Sequence, residues 1–342
     1  MSISKQTWQQ LFSLAIQLKQ LAPWQWMFDS DFFGIKHPKT GVIYYCTIMG
    51  QGEEVFGVGF YEGTAGLDSL LELANGEEID PFDTMLTQKC MMLNFENQEE
   101  LMENEATFMK QMQFSFKGKF SNPTFRDYSP GFFPWMIETE EQAQTFLEFL
   151  PQVVQVAERV QDNPNCLSKE GDEEGTFYLV RVKNGNGWVD EWIEPVDDES
   201  IENEELVLEA NEVYLRSNLS RLPKKEDKTW LLDFGLHDEP VQDKEGQRPY
   251  FPYMLLIVDT ETNMIAGNDV FMHSDVTSKF QQALVKICRD NGYIPHKIVV
   301  GSDETADTLE SIFDFMEVEV AIDDQLDEWF DELKADVFGE GE

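Results

Sequence analysis

The chain of 342 residues carries 66 Asp and Glu against 25 Lys and Arg, a formal net charge of −41. Such a field repels phosphate backbones and anionic membrane surfaces, so neither duplex nucleic acid bound by counterion release nor membrane contact is expected. Hydrophobic residues at 42% and aromatics at 13% separate it from acidic disordered chains, and its length exceeds what one core usually supports.

Cys46, Cys90, Cys166 and Cys288 lie far apart with no CxxC pair, which fits reduced thiols in a cytoplasmic protein. In chain order, Trp8, Leu11, Phe12, Ala15, Ile16 and Leu18 follow the i, i+3, i+4 pattern, so 4–21 is predicted as an amphipathic helix ended by Pro23. Its polar residues at helical intervals argue against a signal peptide or a spanning segment. FFGIKHPKTGVIYYCTIMG holds two apolar runs around a His37–Gly41 turn, and VFGVGFYEG adds a third strand. A helix over 66–75, the strand CMMLNFE, a helix over 98–112, a proline-broken aromatic stretch over 114–137 and a helix over 138–161 complete an α+β domain over 1–161. Residues 162–228 read as an acidic connector containing a hairpin around Lys183-Asn184-Gly185-Asn186. From Thr229 the order is three strands, a helix over 278–291, the strand HKIVVGSD, a helix over 305–316, the strand VEVAI and a helix over 324–338. A C-terminal α/β domain with a mixed sheet is predicted over 229–342.

PWQWM at 23–27, Asp29-Ser30-Asp31-Phe32-Phe33-Gly34 and IMGQGEEVFGVGFYEGTAGL at 48–67 resemble a bacterial domain family of unknown function. That family is often joined to a second such domain, which the C-terminal third resembles. Residues 229–332 also resemble the ribonuclease H-like core of integrases and transposases. This second resemblance implies two carboxylates, Asp233 in TWLLD and Asp303 in IVVGSD, with Glu328 or Glu332 as the third, holding Mg or Mn. Residues 229–342 hold 26 acidic and 7 basic residues, whereas a transposase must cradle polyanionic DNA. The expectation is therefore a core of that shape without nuclease activity.

Carboxylate pairs such as Glu53-Glu54 and Asp323-Asp324 are too common for any one to mark a site. His37, His237, His273 and His296 show no metal-ligand spacing, His273 with Asp275 suits a turn, and Cys288 reads as a core residue. The glycines of Gly57-Val58-Gly59-Phe60-Tyr61-Glu62-Gly63 lack the dinucleotide spacing and suit a strand past which bulky rings pack. The aromatic stretch supplies the candidate partner-binding residues Phe125, Tyr128, Phe132, Phe133 and Trp135, which suit either a core or a docking patch.

The reading is a non-catalytic interaction or regulatory protein with a protein partner and no cofactor. The alternatives are a metal-dependent nuclease core and an acidic DNA mimic.

Overall fold

The computed structural model describes residues 3–74, 88–173, 175–195, 212–237, 239–244, 246–272, 276–326, 329–330 and 333. The chain divides into two compact units, Met1–Asp198 with Lys244–Arg248, and Glu199–Asp243 with Pro249–Glu342. Each contains helices and its own sheet, an α+β architecture.

In the first unit, α1 (Lys5–Leu21) starts at Ser4, whose Oγ accepts the Thr7 amide at 3.1 Å, and stops at Ala22 in the left-handed region before Pro23. Trp8, Leu11, Phe12, Ala15 and Leu18 are its buried stripe, and each large apolar side chain withdrawn from water contributes about 1.5–3 kcal/mol. Strands β1 (Phe33–Lys36), β2 (Ile43–Met49) and β3 (Gly57–Glu62) form an antiparallel meander, followed by α2 (Gly63–Ala74). Then come β4 (Cys90–Glu96), α3 (Glu103–Met112), β5 (Asn122–Tyr128), β6 (Trp135–Met136) and α4 (Glu140–Asp162). A hairpin of β7 (Tyr178–Asn184) and β8 (Gly187–Ile193) completes an eight-stranded sheet ordered β6-β5-β4-β3-β2-β1-β7-β8. Alternation along β2 sends Cys46 and Ile48 into the core formed with α1 and α4, and Tyr45 into a smaller cluster with Leu67 and Leu70 of α2.

Two departures from the predicted elements have local causes. The helix expected over 98–112 is a 3₁₀ turn, Gln98–Glu100, followed by α3, because Glu100 accepts the Asn97 amide and Glu105 accepts the Met102 amide, capping two separate starts. The hairpin expected in a connector forms with Gly185 at φ 57°, but it belongs to the first sheet: β7 pairs parallel to β1 through Gly34↔Val180 and Ile35↔Arg181. Without β7, β1 would expose an unpaired edge. The glycines of β3 serve close packing as expected, since a Cβ on Gly57 would overlap the Leu93 carbonyl oxygen and one on Gly59 would lie 2.9 Å from the Tyr61 ring.

The second unit has α5 (Glu212–Leu219), β9 (Lys224–Leu236), β10 (Tyr253–Asp259), β11 (Met264–Phe271), α6 (Val276–Asn291), β12 (Ile294–Val300), α7 (Asp303–Met316) and β13 (Glu319–Ile322). Its sheet runs β11-β10-β9-β12-β13, with β9, β10 and β11 antiparallel and β9, β12 and β13 parallel. This is the mixed sheet that the sequence predicts. Strand β9 begins five residues before Thr229, because Lys224 and Lys225 pair with Ile294 and Pro295. Of the helix predicted over 324–338, Leu326 and Phe330 are buried against Leu256 and Val258, and most of the rest lies outside the described residues. No helix of the described residues is long and apolar enough to cross a membrane.

Candidate functional site

Of the C-terminal carboxylates singled out from sequence, Asp233 lies on β9, and Asp303 follows the neighbouring strand β12. Pairing of Trp230 with Ile298 and Leu231 with Val299 sets Asp233 two residues further along β9, and Asp303 four residues beyond Val299, at the start of α7. Asp233 is half-buried, with Oδ2 shielded from solvent, whereas Asp303 is exposed on a first turn capped by Ser302, whose Oγ accepts the Thr305 amide at 3.1 Å. Glu328 and Glu332 lie outside the described residues, as do His273 and Asp275. Among the described residues no group of three or more His, Cys, Asp or Glu could hold a metal ion. The buried polar centre of this unit is elsewhere. Tyr293 donates to Asp259 Oδ2 at 2.7 Å and accepts from Trp230 Nε1 at 3.0 Å, while Lys228 donates to the same Asp259 oxygen at 3.1 Å. Burial opposes ionisation of Asp259, but hydrogen bonds from Tyr293, the Thr262 amide, Lys228 and the Glu261 amide outweigh it and hold the carboxyl at about 2.

The aromatic candidates divide between core and surface. Phe125 is 1% exposed, with its ring edge-on to Trp8, Phe12 and Phe146. Tyr128, Phe132, Phe133 and Trp135 are half-buried, and the Trp135 indole donates to Glu138 at 3.3 Å. Arg248 lies 5.2 Å from the Phe132 ring centroid and donates through Nε to the Phe133 carbonyl at 2.8 Å.

A concave site of about 280 Å³ opens in the first unit where the ends of β2, β3, β4 and β5 meet the start of α4 and the β1–β2 turn. Tyr44 pairs across the sheet with Glu62 and hydrogen-bonds to its carboxylate, which also meets Lys89 at 3.4 Å. On the β5 side, Asp127 Oδ2 accepts Ser129 Oγ at 2.8 Å and Arg248 Nη1 at 2.6 Å, while Arg248 Nη2 donates to the Asp127 carbonyl at 2.8 Å. The α4 side contributes Thr139, Glu141, Gln142 and Thr145. Gln142 is engaged in the cap, its Oε1 accepting the Glu138 and Thr139 amides at 3.1 Å.

His37, 7% exposed, lies against Tyr44 and Phe149. Its Nδ1 accepts from the Thr40 amide at 3.2 Å, with the Thr40 hydroxyl at the same distance. Burial first, then the charges of Glu62, Asp127 and Glu141, push the Tyr44 hydroxyl up to about 12, so it is a proton donor at neutral pH. Burial likewise raises the Cys90 thiol well above its usual range, which makes it a poor nucleophile. The cleft therefore offers fixed donors and acceptors instead of an activated attacking group. Sequence reasoning missed it: His37 shows there only as part of a turn, and Tyr44, Glu62, Asp127 and Arg248 lack any local signature.

Comparison with curated proteins gives no match. Residues 215–338 match a domain of unknown function, DUF6930. Residues 8–181, just over half of the chain and including the strands and helix that build the cleft, match another domain of unknown function, DUF7309, and the protein belongs to that family.

Proposed function

We propose that the chain is a non-catalytic recognition protein whose first unit takes a small polar group into the cleft lined by His37 and Tyr44. The observation that carries this reading is the His37 ring. It lines an open cleft and is more than nine-tenths buried; Nδ1 is engaged by Thr40, and Nε2 has no hydrogen-bond partner among the described residues. Nε2 is not shielded from solvent, so a bound acceptor can take the place of water on it. Burial that keeps the Cys90 thiol protonated favours binding over covalent chemistry at that residue.

The test is a thermal-shift screen of the full chain against neutral, anionic and cationic polar compounds, with Tyr44→Phe and His37→Gln alongside. At least one class should raise Tm of the wild type, with a smaller rise in the variants, and the compounds should be recovered unchanged. No shift from any class, or equal shifts in the variants, overturns the cleft as a site; consumption of a compound overturns the non-catalytic part.

A second reading, a ribonuclease H-like core in the second unit, is supported by one feature: β9, carrying Asp233, runs parallel and adjacent to β12, which leads to Asp303. Less support comes from the ligand set: Asp303 is exposed, and no group of three metal-ligating residues forms among the described residues, which do not include Glu328 or Glu332. Calorimetric titration with either ion should give at most weak heats, unchanged by Asp233→Ala or Asp303→Ala. Tight binding lost in both variants, with cleavage of nucleic acid, would favour the second reading.

A further inference from the structure

We infer that the cleft selects an organic cation, an alkylammonium or guanidinium head carrying a hydrogen-bond acceptor, with the cation among Glu62, Asp127 and Glu141 and the acceptor on Nε2 of His37. The inference rests on the cleft being a binding site, and it adds the charge and shape of what binds.

The charge follows from which groups are already engaged. Three carboxylates line the cleft, and two cations answer them. Arg248 is committed to the Asp127 side chain, the Asp127 carbonyl and the Phe133 carbonyl, so it has little capacity left for an incoming anion. Lys89 meets Glu62 at 3.4 Å with its side chain 59% exposed, a solvated pair of the kind worth about 0–1 kcal/mol, so a ligand cation can take its place. Glu141 is exposed and forms no ion pair among the described residues. The positive end of α4 does not reverse this balance. Glu140 and Glu141 occupy its first turn, and Thr139 Oγ1 accepts the Gln142 amide at 3.2 Å, so that end already has its anions and its cap. All three carboxylates oppose ionisation of the Tyr44 hydroxyl, which agrees with a negative potential at the floor.

The acceptor follows from the tautomer. The Thr40 amide donates to Nδ1, which leaves the proton of the neutral imidazole on Nε2 as a donor in search of an acceptor. A volume of about 280 Å³ suits a group the size of one amino acid. A free amine bearing a carbonyl or hydroxyl and a lysine or arginine side chain of a peptide share this chemistry.

Calorimetric titration of the full chain separates the possibilities. N-acetyl-lysine amide and N-acetyl-arginine amide are expected to bind, and N-acetyl-norleucine amide, which keeps the shape without the charge, is not. Glu141→Gln should weaken the lysine probe about fivefold and Lys89→Met should tighten it about threefold, as for partly exposed charge pairs. A merely structural role for these two surface residues would not give changes of opposite sign. His37→Gln should weaken the lysine probe while leaving putrescine, which has no acceptor, unmoved. A lysine flanked by glycines that binds as well as the amide assigns the source to polypeptide side chains; its exclusion assigns it to free amines. If N-acetyl-glutamate amide binds and the cations do not, with binding lost in Tyr44→Phe, the cleft stands as a site and the cation inference falls. If no probe binds, both fall.

Discussion

Replacing Arg126 with Met tests whether the first unit depends on a buried cation. The guanidinium, 10% exposed, clamps Glu105 through Nε and Nη2 at 2.8 and 2.9 Å and reaches Glu96 through Nη1 at 2.9 Å. Glu105 is 2% exposed, and its Oε2 also accepts the Met102 amide at the start of α3. One side chain on β5 thus fixes both the end of β4 and the approach of α3. Methionine keeps the aliphatic stem but leaves two carboxylates facing one another without a cation, a loss of about 3–5 kcal/mol for a buried pair deprived of one partner. For a unit of this size about 1 kcal/mol moves Tm by roughly 2–4 °C, so a fall near 10 °C is expected. Urea unfolding followed by tryptophan fluorescence, with scanning calorimetry on the same samples, reads the change. Adding Glu105→Leu to Arg126→Met should restore part of the loss, because the uncompensated charge goes with it. A loss under about 1 kcal/mol for Arg126→Met, or a double variant as unstable as the sum of the two singles, would refute the argument.

In the second unit, Asp259 titrates at about 2, below its unfolded value of 3.8, so its contribution is complete above pH 4 and is lost as pH falls toward 2. The gap corresponds to about 2 kcal/mol, and Asp259→Asn should flatten the acid limb of a stability-versus-pH curve for this unit; an unchanged limb would contradict the assignment. Gly57→Ala should cost about 2 kcal/mol or more in denaturant unfolding, since the added methyl meets the Leu93 carbonyl and lies 2.6 Å from Asn94 Oδ1. Gly52→Ala, with nothing within 4 Å, should stay within about 0.5 kcal/mol of the wild type. Cys46, Cys90 and Cys288 are buried and Cys166 is half-buried, so a thiol reagent should modify Cys166 in the native protein and the other three only on unfolding. Rapid native modification of more than one thiol would show that the cores open more readily than their packing implies.

Elements with strong periodicity and local punctuation were legible in the sequence. The stripe of Trp8, Leu11, Phe12, Ala15 and Leu18, the Asn184-Gly185 turn and the alternation of strand and helix after Thr229 all took the expected forms. What was hidden is non-local or disguised by charge. The β1–β7 contact needs only two residue pairs between segments some 145 positions apart, and nothing in either segment advertises it. The start of β9 reads Lys224-Lys225-Glu226-Asp227, a charged run with no apolar alternation. The cleft was hidden for a third reason. Its carboxylates are 3 of 66 acidic residues and Arg248 lies 121 positions from Asp127, so neither spacing nor composition could single them out.

In a chain with so large an acidic excess, the informative charges are the scarce positive ones. Arg181, its side chain 8% exposed, spends its donors on Gln152 and Gln155 of α4 and on Asp190 of β8, joining the added hairpin to the helix. Arg126 and Lys228 are consumed in the same way, each answering two carboxylates within its own unit. A cation with every donor engaged by its own fold specifies packing and has little left to offer a ligand. The complementary signal is a carboxylate in a concavity that no such cation reaches. Glu141, which shares the lining of the cleft with His37, meets that condition.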